Sequence, residues 1–515
     1  MDGAPCPAPR EGVAAACLAL VAAQIARLVL AAAEDGADAA AAGDALGPVL
    51  VLEVADVHRG RLSFLVVTEL LRLRSLWPDP ASPPFLYVLG ATTRRALQAL
   101  QDHAALQALA RQGLVDFSEV DFDALCADRD VNIVLERCKR RVNGHRPWRG
   151  PIMPILVHAA SALRTNAFRV TDGDLQLGAR DVDIEGAWRF CEIAPGASLL
   201  PGSNPGGRDD LQWLLDDYGA EFFAQNAAFS VPVAAIATLG RLREVCTDKI
   251  VGIICDRGVV NLDQQRGRRA PAPGLNFHAL HRIAQSRWHG AVFTTPHCAT
   301  TVSTCIAISS RPGCRPLTAQ LAVQWLDSAP RLDVDAYIAL ERSVARNCAN
   351  GDTELSALLA ILRLANHDPH VFFRLRNFIV GQTPFATPRQ AQDLIQDVAA
   401  VRARCFVAPY TLAGTSPQTT KDVAFHLGRV LMGLRRYASA LDAFQASKAL
   451  AGEHAATLYN IGVCAFHCGT FDLSAESLQK SLALNPHQPG ASAWRARAIA
   501  RLGGIADHDH GLEEE

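Results

Sequence analysis

Glu53, Gly60 and Arg61 bracket a turn at which backbone and side chains could together meet a nucleotide-like ligand. The apolar run Val49 to Val54, VLVLEV, carries an acid at its end. It is followed by Ala55-Asp56-Val57-His58-Arg59-Gly60 and then by a helical pattern from about Leu62. Strand, turn and helix in this order open a nucleotide-binding α/β domain, where glycines without a Cβ let backbone N–H groups approach the ligand. This turn instead has a β-branched residue, a basic pair and a single glycine. Glu53 is therefore either a cofactor-side acid or a strand-end residue pairing with Arg59 or Arg61, and Gly60 is either a ligand contact or a helix entry.

Other residues invite chemistry more weakly. His158 follows the apolar run Ile152 to Val157 and could serve as a base, although a histidine there also suits an ordinary loop. Asp256-Arg257-Gly258 closes the run KIVGIIC and suits a strand-end turn. Cys464 and Cys468 stand four apart on one helical face, and a metal would need two further ligands beside them, so no metal site is expected. No P-loop, HExxH, Ser/His/Asp order or paired carboxylate stands out, which disfavours hydrolase and kinase chemistry.

The elements that must position these residues exceed one core. A chain of 515 residues is expected to form two to four domains. With 49% hydrophobic and 20% charged residues it can bury them, and a net charge of −2 supplies no global field for nucleic acid or an acidic membrane. Fourteen cysteines without a CxxC pair point to reduced, mostly buried thiols. The apolar run Val13 to Ala33 carries Gln24 and Arg27 and follows a segment without a basic leader, so it is expected to be an amphipathic or buried helix beside the first strand, in a cytoplasmic protein.

Apolar runs at Phe85 to Leu89, Leu114 to Phe117, Ile152 to Val157 and Lys249 to Cys255 alternate with helical patterns, among them one over roughly Arg94 to Arg111. That rhythm predicts a parallel sheet. Ala167 to Leu177 is a candidate hairpin around Asp172-Gly173, Leu275 to Gln285 a helix, and Ala291 to Ile308 late strands. The basic stretch Arg137 to Gly150, with Trp148, suits a solvated loop better than a nucleic-acid surface. Beyond about Leu317 the pattern is helical. Leu427-Gly428, Tyr437, Ala440 and Phe444 recur as Ile461-Gly462, Phe471, Ser474 and Leu478, with a spacing of 34 from Leu427 to Ile461. That is the tetratricopeptide period, and its small residues mark where two helices cross closely. Two such repeats cannot bury a core alone, so they are expected to stack on helices within Glu354 to Arg404, with a capping helix from Trp494 to Leu502.

The order of segments resembles a bacterial-type family in which a class I S-adenosylmethionine methyltransferase-like domain, related to the MidA group, precedes a tetratricopeptide array. The resemblance rests on LVDFSEVDFDA (114 to 124), PIMPILVHAASALRTNAFRVTDGDL (151 to 175), GLNFHAL (274 to 280) and the repeats, and spans about 49 to 500. It implies a Rossmann-like α/β domain over 49–310, preceded by a helical segment over 1–48. A helical connector over 317–420, tetratricopeptide repeats with a capping helix over 421–505 and a polar tail over 506–515 complete the chain. It also implies S-adenosylmethionine as cofactor, with Glu53, Gly60, Arg61 and Asp121 on the binding side.

The sequence departs from that family at the places that matter. Most glycines of the first turn are replaced, and the turn is one residue longer. Leu89-Gly90-Ala91 stands where an acid would hold the ribose hydroxyls. Val157-His158, with Ser161, stands where an Asn-Tyr pair and an Asp would form the methyl-transfer mouth. Each charged hydrogen bond lost costs about 1.5 to 3 kcal/mol. Two such losses move a micromolar ligand to about millimolar. The expectation is an interaction protein whose methyltransferase-like domain has lost S-adenosylmethionine and whose repeats bind a protein or peptide, with no role for nucleic acid or membrane. The rival is an active S-adenosylmethionine-dependent protein methyltransferase that uses the repeats as substrate receptor. His278, within GLNFHAL, has no chemistry that the sequence names.

Overall fold

The structure, a computed structural model, describes residues 18–41, 47–55, 58–120, 131–160, 163, 165–171, 174–180, 188–192, 205–222, 227–266, 268–295, 301–309, 319–328, 334–349, 354–406 and 422–503. Two compact units divide them. One runs from Leu18 to Ile338 and includes Phe406, and the other comprises Ala339–Cys405 and 422–503.

The first unit is built on a mixed sheet. β1 (Val49–Val54) pairs in parallel with β2 (Phe85–Ala91) on one edge, and β2 pairs in parallel with β3 (Val115–Glu119). Two short strands follow, β4 (Ile133–Leu135) and β5 (Arg140–Val142), and the chain then returns to the other edge of β1 as β6 (Ile152–Val157). Every residue of β1 and β6 is buried, which is why both read as unbroken apolar runs: a parallel strand covered on both faces has no polar side. The chain thus reverses its direction of growth between β1 and β6, a topological switch point.

α1 (Leu18–Ala41) packs beside α2 (Arg61–Arg72) and touches β1, as its apolar sequence requires. The helical pattern over 94–111 resolves into α3 (Arg94–Gln101) and α4 (Ala104–Arg111), because His103 begins a new helix by accepting the Ala105 N–H at Nδ1. The basic stretch after Glu136 is a hairpin between β4 and β5. Asp116 organises it, accepting the backbone N–H groups of Arg137 and Cys138. Trp148 is buried, donates its indole N–H to the Pro48 carbonyl at 2.8 Å and lies under the Arg140 guanidinium at 4.3 Å. Structural contacts thus account for Trp148 and Arg140 in that stretch.

The hairpin expected near 167–177 is β7 (Asn166–Thr171) with β8 (Asp174–Arg180), and its tip at Asp172-Gly173 lies outside the described residues. It belongs to a second, antiparallel sheet with β9 (Trp188–Glu192) and, after α5 (Pro205–Phe222), β10 (Ala228–Val231). α6 (Val233–Glu244) leads to β11 (Lys249–Val259), which pairs in parallel with β6. Near its end β11 also pairs with β12 (Leu275–Asn276), at the start of GLNFHAL. A Cβ at Gly258 would lie 2.0 Å from the Leu275 carbonyl oxygen, so the two backbones cross where no side chain fits. α7 (Phe277–Ser286) follows, capped by Asn276, whose side chain accepts the Ala279 N–H and donates to the Ser230 carbonyl. β13 (Ala291–Thr294) and β14 (Thr301–Ser309) close the main sheet, β14 lying antiparallel to β11 and to β13. Next come α8 (Ala319–Ser328), which packs against α1, and α9 (Val334–Ala349).

The second unit is helical: α10 (Leu355–Leu364), α11 (Pro369–Gln382), α12 (Pro388–Ala403), α13 (Val423–Gly433), α14 (Tyr437–Ala451), α15 (Ala455–His467), α16 (Phe471–Leu484) and α17 (Ala491–Leu502). Residues spaced by 34 make equivalent contacts. A Cβ at Gly428 would meet the Phe444 ring at 2.7 Å, and one at Gly462 would meet Leu478 Cγ at 2.5 Å. The first helix of each pair therefore approaches the second over a glycine. α13 packs against α11, so these pairs stack on the helices before them.

Gly462→Val is expected to destabilise the protein by about 1 to 3 kcal/mol through overpacking against Leu478. Gly219→Ala, inside α5 where nothing lies within 4 Å, should instead stabilise by up to about 1 kcal/mol. Urea denaturation of both variants checks the pair, and equal effects would contradict the crossing.

Candidate functional site at the carboxyl ends of the strands

In an open α/β sheet, ligands bind outside the carboxyl ends of the strands at the switch point, here between β1 and β6. Glu53 precedes the last residue of β1 and is 1% exposed. The Ser63 hydroxyl, on α2, donates to its Oε2 at 2.6 Å, and the Tyr87 hydroxyl, on β2, donates to the same oxygen at 2.7 Å. Its partners are thus hydroxyls from α2 and β2, in place of Arg59 or Arg61. Oε1 has no partner among the described residues. Burial pushes the carboxyl up to about 7, against the lowering effect of the two hydrogen bonds. Burial, and then the neighbouring Glu53, raise the Tyr87 phenol well above its ordinary value. Glu53 therefore holds its proton up to about neutral pH, beneath α2.

Asp56 and Val57 lie outside the described residues, and the described ends of the turn are tied together. Ala55 donates its N–H to the Gly90 carbonyl, Gly60 to Ala55 and Arg61 to His58. Arg59 and Gly60 are consecutive left-handed residues, at φ 50° and 78°, which glycine adopts freely and arginine does not. A Cβ at Gly60 would lie 2.7 Å from Leu106 Cδ1 and 3.0 Å from Leu100 Cδ2. The glycine that a ligand would need open is packed against leucines of α3 and α4. Arg61 begins α2, half-buried, near enough to depress the His58 ring. Asp121 lies outside the described residues.

At the end of β2, Ala91 is fully buried and accepts the Val120 N–H. Gly90 sits so close to β1 that a Cβ would be 3.0 Å from the Glu53 carbonyl oxygen. No side chain long enough to hold a ribose projects from this strand end.

Across the switch point the sequence hid its main contact. His58 Nε2 lies 3.0 Å from the Val157 carbonyl oxygen at the end of β6. Burial, then the charge repulsion of His158, push the ring down to about 4, so it is neutral and donates from Nε2. His158 follows at φ 52°, donates its N–H to the Cys255 carbonyl at 2.7 Å and meets the His58 ring edge-to-face at 5.9 Å. Cys255 is buried on β11 and accepts the Ser303 hydroxyl at 3.1 Å. Asp256 is buried and accepts the Arg257 N–H. The structure thus brings His58 and His158 together, while the hydrogen-bond partners of Glu53 are Ser63 and Tyr87. Only the basic pair in the turn hinted at this; a partner 99 residues away leaves no local signal.

His278 is placed by its neighbours: the Tyr218 hydroxyl lies 2.7 Å from its Nδ1, and burial followed by Arg282 holds its ring below the ordinary range. Cys464 is buried and Cys468 exposed. Among the described residues no helix is long and apolar enough to cross a membrane.

No family model matches the chain, and no curated protein matches it. Two solved structures from Burkholderia thailandensis are similar to part of it. One, an uncharacterized ACR, COG1565 superfamily protein, shares 14% identity over 55% of this chain and 67% of its own, with a TM-score of 0.33. The other, a COG1565 superfamily member bound to S-adenosyl-homocysteine and described as an expected methyl transferase, shares 13% identity at a TM-score of 0.32. It is matched over 54% of this chain and 63% of its own, less than two thirds of its length. Scores this low fix neither fold nor site.

Glu53 gives the site a proton-linked signature. Its folded pKa, about 7, exceeds the ordinary value of 4.5, so its contribution is complete below pH 4.5 and is lost as pH rises through about 7. Glu53→Gln removes that loss. Relative to the parent, the variant should gain on the order of 3 kcal/mol in thermal or urea stability between pH 5 and pH 8. A constant difference across that range would rule out a neutral Glu53.

Proposed function

We propose that the chain is an interaction protein in which an S-adenosylmethionine-methyltransferase-like α/β unit has lost catalysis and a tetratricopeptide-type helical unit binds a protein or peptide partner. The observation that carries this reading is the bridge from His58 to the Val157 carbonyl across the switch point. Gly60 packed on Leu100 and Leu106, and a buried Ala91 where the ribose acid belongs, support it. The parallel order β3-β2-β1-β6-β11 is the framework that a methyltransferase-like domain requires. The equivalent helix crossings at Gly428 and Gly462, 34 residues apart, favour the tetratricopeptide assignment.

The rival reading, an active protein methyltransferase with an atypical cofactor turn, draws on His158. A non-glycine residue held at φ 52° at a strand mouth is the sort of strained position that working sites contain.

Isothermal titration with S-adenosylmethionine and S-adenosylhomocysteine separates the two. Folded protein is expected to give no heat up to millimolar ligand. Micromolar binding would overturn the loss of cofactor and establish the methyltransferase reading as the stronger.

A further inference from the structure

The helical unit holds a cluster of positive charge in which neither arginine forms an ion pair among the described residues. Arg376 and Asn377 lie on α11, and His426 and Arg429 on α13. Phe373 and Phe425 flank them: the His426 ring meets Phe373 at 5.4 Å and Phe425 at 5.3 Å, and the Arg376 guanidinium lies 4.0 Å over Phe373. Arg429 reaches Asn377 Oδ1 at 3.5 Å, the limit of a hydrogen bond, and Arg376 Nη1 donates to the Phe373 carbonyl. Neither guanidinium has a carboxylate within ion-pair distance among the described residues. Two polar atoms of the cluster, Arg376 Nε and His426 Nδ1, are buried with no hydrogen-bond partner among those residues. Burial, then Arg376, then Arg429 push the His426 ring down to about 4. Asp422 acts the other way and offsets part of that effect, while its oxygens accept the Phe425 N–H and the Ser447 hydroxyl.

Buried polar atoms without partners are costly, and a half-buried pair of arginines on neighbouring helices suits a planar anion accepting from both. We propose that Arg376 and Arg429, with His426 and Asn377, bind one carboxylate of an acidic peptide. The proposal rests on the partner-binding reading of this unit and names the partner's chemistry. Two arginines match a single anionic group and not a polyanion, and the chain's net charge of −2 supplies no wider basic field. A peptide is the occupant that the partner-binding reading of this unit calls for, and half-buried aromatic residues recur along the repeats. One repeat on from Phe425 stands Tyr459, half-buried, and Phe466 and Trp494 meet at 5.2 Å farther along.

The test uses the full chain and two fluorescein-labelled hexapeptide pools with amidated C-termini, identical except for glutamate or glutamine at two central positions. Fluorescence anisotropy at low salt should show the glutamate pool binding about tenfold tighter, the factor expected of one charge-assisted contact. Arg429→Gln, and separately Arg376→Gln with folding checked by circular dichroism, should bring the two pools together, while Arg429→Lys should retain part of the preference. Equal binding of both pools by the parent would overturn the carboxylate site and leave the array as a peptide binder; binding of neither would overturn both. A preference for glutamate that survives both glutamine variants would also overturn it. So would displacement of the glutamate pool by millimolar inorganic phosphate but not by acetate, which would assign the site to phosphate.

Discussion

β1 is hydrogen-bonded along both edges and buried on both faces, and the α/β unit depends on that condition. A strand so enclosed cannot offer a polar side chain to water. Glu53 must therefore be satisfied from within, by hydroxyls that α2 and β2 bring to it, and burial raises its proton affinity so that it stays protonated up to about neutral pH. The enclosure also fixes the turn. Ala55 is tied to Gly90 and Gly60 is tied back to Ala55, and Gly60 is packed against leucines. The position of His58, and hence the state of the switch point, follows from this geometry.

A second close approach organises the rest of the sheet. Gly258 on β11 lets β12 come within backbone contact, and Gly274, at φ 89°, turns the chain into that pairing. Asn276 then caps α7 and holds β10 through Ser230. The segment GLNFHAL is thus accounted for by packing and capping from Gly274 to Phe277, with His278 resting against Tyr218.

The strands buried on both faces were plain in the sequence, because unbroken runs such as Ile152 to Val157 and Lys249 to Cys255 have few other uses. β9 and β10 were not, since short strands with one solvated or covered edge carry little periodicity. The helix pattern over 94–111 was interrupted at His103, whose capping bond a periodicity count does not register. In the site, the single glycine of the turn and the small residue Ala91 at the end of β2 were legible as residue types. Their geometry was not: Glu53 finds Tyr87 from 34 residues away and His58 finds Val157 from 99, and such distances are set by sheet order alone. The helix crossings at Gly428 and Gly462 were legible because they repeat.

The interlocking of the turn has a consequence for how this surface can change over time. Removing the His58 ring would strip the Val157 carbonyl of a donor, yet the backbone bonds from Gly60 to Ala55 and from Arg61 to His58 would hold the loop shut. Opening it would also require smaller residues at Leu100 and Leu106, and a ribose acid would have no room at Ala91 while Gly90 hugs β1. Each step alone removes packing or leaves a buried group unsatisfied, and a benefit comes only when several are combined. Such a route runs uphill through less stable intermediates. The described contacts of the turn therefore support one another, and no single substitution among them frees the rest.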